Sequence, residues 1–235
     1  MAVLSDLPPS TSSNRKPDRG HVIVPVLALA ASMLLVLPTS TIAQSHYTKI
    51  SNAGYMLPSA AQLGDGPYDW ACTRDNRTGL TWEVKRTSGL RDYRHNYAWR
   101  WSGVGHNGNT ASCSNSLSPA SCNAQALASR YNGIALCGSS NWRVPLGTYA
   151  GGPYTNSPNG ELAVFYKTLF QTAGVTPGIW FPNTRLSLTW TGRQPPVEFG
   201  KVWLVNLSNG QVVSNFWDLP YQALLVTPDP PNPLP

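Results

Sequence analysis

The sequence predicts an α+β fold in which two short helices accompany an antiparallel sheet, with many loops and disulfide staples. Only two segments of the 235-residue chain carry the period of an amphipathic helix, whereas many short runs have the composition of strands. Glycine and proline number 20 and 21, which indicates a loop-rich chain. The four cysteines are an even number, so disulfides can pair all of them. Two helices inserted among many short strands favour α+β with an antiparallel sheet.

The clearest element is a hairpin over residues 70–83 (WACTRDNRTGLTWE). The pair Asp75-Asn76 followed by Gly79 is typical of a tight turn, because Asp and Asn bond their own backbone and glycine accepts positive φ. The two flanks then become short strands. Asp75 and Asn76 could instead ligate a cation or a sugar hydroxyl, but turn formation accounts for both.

Two helices are predicted, at residues 122–134 and at about 160–172. Gly133 ends the first of them. Each has apolar side chains on one stripe, and these are expected to be buried: Ala124, Leu127, Ala128 and Tyr131 in the first, and Leu162, Phe165, Tyr166 and Leu169 in the second.

The remaining elements are strands and loops. Residues 49–52 predict an edge strand, and Asn209-Gly210 predicts a hairpin turn. Gly- and Asn-rich loops are expected at 102–121 and 150–159. Further strands are predicted at 179–181, 187–191, 201–207, 210–213 and 222–226.

Four regions are predicted along the chain. Residues 1–43 have the features of a secretory signal peptide, with basic residues, an apolar run and a small-residue cleavage site at Ala43. The alternative is an uncleaved membrane anchor, but the apolar run is shorter than the roughly 20 residues that span a bilayer, and it contains Pro25. A lead-in at 44–67, a domain at 68–227 and a proline-rich tail at 228–235 follow. We expect the tail not to pack.

The cysteines all follow the predicted leader, so we expect an oxidising compartment and two disulfides. Three pairings are possible, and a nested arrangement favours Cys113–Cys122 as a local loop and Cys72–Cys137 as a long brace. Zinc ligation is the alternative. The chain has no Cys-x-x-Cys and no histidine at ligand spacing from a cysteine, so we expect no metal and no nucleophilic thiol.

The charge balance is modestly positive, with a formal net charge of +6 at pH 7. This is compatible with an anionic partner, although it is mainly a statement about solubility. Charged residues make up 12% of the chain, about half of the usual share. We do not expect nucleic acid as a partner of an exported protein with so small a net charge.

A candidate binding segment follows the hairpin at residues 85–101, where five cations and four aromatic residues are interleaved. Arginine presents a planar fork to sulfate or carboxylate, and aromatic faces stack on sugar rings. The alternative is that Tyr97 and Trp99 are core residues and the cations are solvated. The predicted ligand-binding side chains are Arg91, Arg94, Arg100, Tyr93, Trp99 and Trp101.

Other aromatic residues are expected to be mostly core. Trp180, Trp190 and Trp217 could include a sugar platform. Arg143, next to Trp142, is expected to bond backbone carbonyls or a carboxylate such as Glu83.

Enzymatic signatures are weak. The chain has no Gly-x-Ser-x-Gly element, and its histidines have no evident nucleophile partner. Pairs of carboxylates could perform glycoside hydrolysis, but that chemistry depends on a separation in space that a sequence does not contain. We predict a non-enzymatic protein without a cofactor.

Four motifs follow one another over nearly all of the domain: residues 72–83 (CTRDNRTGLTWE), 136–145 (LCGSSNWRVP), 181–191 (FPNTRLSLTWT) and the strand pair within 202–226. In this order they resemble the Lcl C-terminal domain family of secreted bacterial domains. The resemblance implies a fold similar to the C-type-lectin-like superfamily, in which one or two helices flank a twisted antiparallel sheet. It also implies export and, for the adhesin that names the family, binding of sulfated polysaccharide.

Two features differ from the family. Residues 146–159 insert a Gly/Pro/Asn stretch before the second helix, and the Glu-Pro-Asn, Gln-Pro-Asp and Trp-Asn-Asp triplets of calcium-dependent lectins are lacking. A calcium-bridged sugar site is therefore not expected.

These observations predict an exported, adhesin-like binding domain that is secreted, periplasmic or on the cell surface. Its expected partner is a polysaccharide or a surface protein. It would contact the membrane only transiently, through the signal peptide, and it could form a homo-oligomer. The alternative is a structural or assembly subunit of a pilus or cell-envelope complex.

Overall fold

Strands outnumber helices in the computed structural model, which describes residues 46–107, 113, 122–147, 160–195 and 198–232. These residues all belong to one compact unit. In chain order the elements are β1 (Tyr47–Ser51), β2 (Met56–Leu57), β3 (Trp70–Asp75), β4 (Thr81–Glu83), β5 (Arg100–Trp101), β6 (Val104–Gly105), α1 (Ala124–Gly133), α2 (Glu161–Phe170), α3 (Pro177–Trp180), β7 (Leu188–Trp190), β8 (Lys201–Asn206), β9 (Val212–Phe216) and β10 (Val226–Thr227).

The strands form three sheets, and every strand pairing is antiparallel. The largest has the order β10-β4-β3-β1-β2, the second has the order β7-β8-β9, and β5 pairs with β6. The predicted α+β class with antiparallel sheets is confirmed.

The β3–β4 hairpin has the predicted turn. Cys72 pairs with Glu83, and Arg74 pairs with Thr81. The Asp75 carboxylate accepts a hydrogen bond from the Arg77 amide at 2.9 Å, and Gly79 adopts a φ of +73°. The acidic side chain therefore shapes the turn.

The five-stranded sheet lies between the two longer helices. One apolar cluster joins Ile50 and Cys72 of the sheet to α1, and a second joins Tyr47 and Trp82 to α2. The predicted buried stripe of α1 is confirmed in full, whereas Tyr166 of α2 is only half-buried. A third cluster, around Trp190 and Leu204, packs under the three-stranded sheet.

Two disulfides fasten the loops, and they have the pairing that the nested arrangement favours. Cys72–Cys137 ties β3 to a 3₁₀ turn at Leu136–Gly138, and Cys113–Cys122 closes a loop just before α1. Such bonds are typical of proteins outside the cytoplasm. Among the residues described, no helix has the length and apolar character needed to cross a membrane.

Three local predictions about strands are wrong. Of the strand predicted at 222–226, only Val226 lies in a strand, β10. Residues 179–181 were expected to form a strand, but Pro177–Trp180 is the short helix α3, because proline fits the first turn of a helix. The strand predicted at 49–52 is β1, and it lies inside the sheet, between β3 and β2.

The tail is also unlike its prediction, because residues 228–232 pack against the domain. The Asp229 carboxylate accepts a hydrogen bond from the Ser139 hydroxyl at 2.7 Å, and the Asn232 amide donates to the Gly54 carbonyl at 2.8 Å. Proline cannot donate to a sheet, but the Asp and Asn between the prolines supply the missing bonds. The predicted signal peptide and most of the two predicted loops lie outside the described residues.

Candidate functional site

The six predicted ligand-binding side chains do not share one exposed surface. Arg91 and Trp99 are buried, with 5% and 3% of their surface exposed. Tyr93, Arg100 and Trp101 are half-buried, and Arg94 is exposed. Arg91 and Trp99 are therefore interior side chains and do not belong to an exposed patch.

Arg91 is buried because three backbone carbonyls need its guanidinium. Its Nη1 donates to Ala71 O at 2.7 Å and to Val84 O at 3.3 Å, and its Nη2 donates to Gly64 O at 3.1 Å. Burial lowers the pKa of Arg91 from its ordinary value. The side chain ties the lead-in loop to β3, which is a structural task.

Trp99 is buried because it belongs to the cluster beneath the three-stranded sheet. Its indole Nε1 donates to Thr191 O at 2.9 Å. The alternative interpretation of this residue, as a core residue, is the one that the structure supports. Tyr97 is likewise fully buried.

Arg94 is exposed but already paired. Its Nη2 lies 2.6 Å from Asp92 Oδ2, and its Nε lies 3.0 Å from Asp92 Oδ1. The hydrogen bonds from Arg94 lower the pKa of the Asp92 carboxyl. Arg100 similarly donates to the side chain of Asn107. Each of the two guanidiniums therefore already has a protein partner.

A buried charged network lies behind this segment. The Lys85 ammonium is 2.9 Å from Glu83 Oε1, and both side chains are fully buried. The same Glu83 oxygen accepts from the Leu225 amide at 2.8 Å, and the other carboxylate oxygen accepts from the Tyr131 hydroxyl. Burial raises the pKa of Tyr131 well above its ordinary value. These groups hold β4, α1 and the C-terminal segment together and are closed to a substrate.

Arg143 has the predicted kind of partner, but a different carboxylate from the one expected. Its Nη1 and Nη2 lie 2.7 and 2.8 Å from the two oxygens of Glu161, not from Glu83. Its Nη1 also donates to Val144 O at 3.3 Å. The bidentate pair attaches the loop before α2 to that helix, and it neutralises the charge of Arg143.

An open groove of about 350 Å³ lies along α1. The helix begins where the Asn123 side chain accepts from the Ala126 amide, and Asn132 bonds both the N–H and the carbonyl of Trp142, so the groove has two fixed walls. We call it the α1 groove. It is lined by Trp101, Ser102, Gln125, Ala128, Ser129, Asn132, Asn141, Trp142 and Arg143.

The chemistry of the α1 groove combines the indole of Trp101 with neutral hydrogen-bonding groups, while Trp142 is buried behind them with 2% of its surface exposed. Trp101, one of the predicted residues, lies in it, whereas the amides and hydroxyls were not predicted. Their signal was weak, because Gln125 and Ser129 lie on the polar face of a helix, where such residues are ordinary. The groove can contact a neutral polar molecule through both kinds of group.

A second exposed feature is an aromatic edge, formed by Phe199, Lys201, Phe216 and Trp217 at the end of the three-stranded sheet. Phe199 is 93% exposed, and its ring meets Trp217 edge to face with centroids 5.5 Å apart. The Lys201 ammonium lies 5.4 Å above the ring of Phe216. Of the three tryptophans predicted as a sugar platform, Trp190 is buried and Trp180 packs against Tyr47. Only Trp217 of the three belongs to this edge.

Metal-binding clusters are not found in the part of the chain that the structure describes: no group of three or more His, Cys, Asp or Glu side chains is placed to hold an ion. The geometry therefore offers binding surfaces whose groups are aromatic, amide, hydroxyl and guanidinium.

In the comparisons with known proteins, no family model, no curated protein and no solved structure matches the chain. The resemblance of the four motifs stays a prediction, and function is argued from the geometry.

Proposed function

We propose that the protein is an exported, non-enzymatic binding domain that recognises polysaccharide through the α1 groove. The observation that carries the proposal is the lining of that groove, in which the half-buried indole of Trp101 lies beside the amides of Gln125, Asn132 and Asn141. Sugar rings have an apolar face and a rim of hydroxyls, so indoles and amides suit the two parts of the same ligand.

The groove favours a neutral sugar. Arg143, the one charged side chain in its lining, is matched by Glu161, so the wall carries little net charge. Asn132 is held by Trp142, while the Ser129 side chain is exposed on α1. A ligand would therefore meet a rigid aromatic and amide floor, which lowers the entropic cost of binding.

Export and an adhesin-like role have separate support. The leader at 1–43 and the two disulfides both fit an oxidising compartment. The motifs shared with the Lcl C-terminal domain family favour a C-type-lectin-like fold, and helices beside antiparallel sheets are compatible with it. Location outside the cell or in the periplasm belongs to this proposal.

Retention on immobilised polysaccharide tests the proposal. We expect the mature protein to be retained on at least one of dextran, mannan and cellulose, and Ser129→Tyr to abolish retention by filling the groove from an exposed position. Arg130→Tyr is the matched control, since Arg130 is exposed on the same helix but does not line the groove. Passage of the wild-type protein through all three columns would overturn the proposal.

The second candidate function is a structural or assembly subunit, and the aromatic edge favours it. Large apolar side chains as exposed as Phe199 often mark a protein-binding surface. The partner would pack apolar side chains on Phe199, Phe216 and Trp217, beside the Lys201–Glu198 ion pair. Co-purification of a stoichiometric protein partner, lost in Phe199→Ser, would support this function over sugar binding.

A further inference from the structure

Two arginines and one carboxylate meet in a small cavity that the proposed function does not use. The guanidinium of Arg86 contacts the Asp65 carboxylate, and Arg91 Nη2 lies 3.7 Å from the same oxygen. The cavity beside them measures about 210 Å³. Its walls are polar at Asn52 and Ser88 and apolar at Leu90 and Leu136.

The two arginines are held in place by the backbone. The Arg86 amide donates to Arg91 O at 2.8 Å, which fixes the two residues side by side. Arg91 is further anchored by its three carbonyl partners. Two cations so close repel one another, and a shared carboxylate relieves that repulsion. The two guanidiniums therefore favour a carboxylate group beside this cavity.

Asp65, the group now in that position, is attached differently. Its side chain is 81% exposed. The backbone on either side is pinned, because Asn52 Nδ2 donates to Gly64 O at 3.1 Å and to Gly66 O at 2.8 Å. Only rotation about the side-chain bonds is needed to move the Asp65 carboxylate into water, while the loop and both arginines stay in place.

We propose that the Arg86–Arg91 cavity binds the carboxylate of a uronic-acid residue, and that Asp65 is an internal competitor that occupies the site until the ligand displaces it. The carboxylate of the ligand takes the position of the Asp65 carboxylate between the guanidiniums, where a planar group with two oxygens matches arginine. The ring of the uronate lies against Leu90 and Ile134, and its hydroxyls reach Asn52 and Ser88. This inference does not rest on the α1 groove.

The competitor sets the apparent affinity. If Asp65 occupies the cavity most of the time, the ligand meets a free site in only a fraction of the molecules, and its apparent affinity is reduced by that fraction. Removing the charge of Asp65 should therefore tighten binding, although it removes an ion pair from the protein. A purely structural ion pair predicts no such gain.

Calorimetric titration with trigalacturonate tests the proposal on the mature protein. We expect Asp65→Asn to bind at least about fivefold more tightly than the wild type, and Asp65→Asn with Arg86→Gln to lose that gain. Asp218→Asn removes the same charge from another exposed position and should match the wild type. Ser129→Tyr, which fills the α1 groove, should also match it, so failure here is separate from failure of the proposed function.

Three results would overturn the assignment. The first is an equal gain in Asp65→Asn and Asp218→Asn, which would indicate bulk charge alone. The second is the absence of trigalacturonate binding in Asp65→Asn while circular dichroism shows the variant folded. The third is equally tight binding of maltotriose, of inorganic sulfate or of a tripeptide with a free C-terminus, because the site would then not select a uronate.

Discussion

The segment at residues 83–95 and the α1 groove differ in where their polar side chains lie. In the segment, Glu83, Lys85 and Arg91 are buried, and each is bonded to another part of the protein. In the groove, Gln125 and Ser129 line an open cavity beside the half-buried indole of Trp101. Charge density in the sequence therefore marked mostly interior residues here, whereas the chemistry of the α1 groove is neutral.

The largest effect is expected at Glu83. Glu83→Gln keeps the shape and the acceptor for Leu225 but leaves the Lys85 ammonium buried without a counter-charge, which costs about 3–5 kcal/mol in the free energy of unfolding. Urea denaturation measures the loss. Adding Lys85→Met should restore most of it, because the lone charge is then removed. A loss below about 1 kcal/mol in Glu83→Gln would show that the pair is not a structural centre.

The two disulfides should differ in the stability that they contribute. Replacing Cys72 and Cys137 by alanine opens the longer loop, with a sequence separation of 65, and should cost roughly 4 kcal/mol. The same change at Cys113 and Cys122, separated by 9, should cost about 3 kcal/mol. Denaturation of both double variants under one set of conditions checks the order. The reverse order would mean that the long brace does not join the sheet to the 3₁₀ turn as described.

His95 should make stability depend on pH. Burial lowers its pKa from the ordinary value, against the raising effect of Asp92 and together with the lowering effects of Lys85 and Arg94. Below about pH 6.5 the unfolded chain takes up a proton at His95 that the folded protein does not. The free energy of unfolding therefore decreases as the pH is lowered, by at most about 1.4 kcal/mol per pH unit. This decrease ends once the pH is below the lowered pKa of His95, because the folded protein then takes up the proton as well.

Thermal unfolding of His95→Gln between pH 5 and 8 measures this contribution, since the variant should lose the part of the slope due to His95. The Asp92 carboxyl, whose pKa is lowered by Arg94, stabilises the fold above its ordinary pKa, and that stability is lost in more acidic solution, as pH falls through the lowered value. The His95→Gln variant should therefore still lose stability in acid, because Asp92 is unchanged in it. An unchanged slope between pH 5 and 7 would contradict the burial of a neutral His95.

The smallest effect on stability is expected at the aromatic edge. Phe199→Ser removes a ring that is almost wholly exposed, so the free energy of unfolding should change by less than about 0.5 kcal/mol. Self-association or partner binding, measured by analytical ultracentrifugation and co-purification, should fall if this edge is an interface. Lys167→Ser, at another site on the surface, serves as the control. A monomeric wild-type protein without a partner would remove the support for the assembly role.

The sequence predicted those elements whose cause is local. The Asp75-Asn76 turn, the buried stripe of α1 and the Asn209-Gly210 hairpin depend on neighbouring residues, and all three agree with the structure. Residues 179–181 have the β-branched and aromatic composition of a strand, but Pro177 two residues before them begins a helix. The strand-like composition of residues 179–181 and the helix-starting Pro177 are competing local signals, and the proline decides the structure.

The burial and the partners of the arginines could not be predicted from local sequence. The carbonyl acceptors of Arg91 belong to Gly64, Ala71 and Val84, which come together only when the sheet and the lead-in loop fold. Glu161, the partner of Arg143, lies 18 residues further along the chain. An isolated arginine next to aromatic residues has the same sequence pattern whether it faces solvent or the interior. Tertiary structure decides between them.

Side-by-side affinity measurements on Ser129→Tyr and Arg94→Ala test the central claim most directly. Both positions are exposed, one in the α1 groove and the other in the arginine-rich segment. On the polysaccharide that retains the wild-type protein, Ser129→Tyr should bind at least about tenfold more weakly, which corresponds to about 1.4 kcal/mol, while Arg94→Ala should bind like the wild type. Weakened binding in Arg94→Ala with full binding in Ser129→Tyr would contradict the account and return the site to the segment that follows the hairpin.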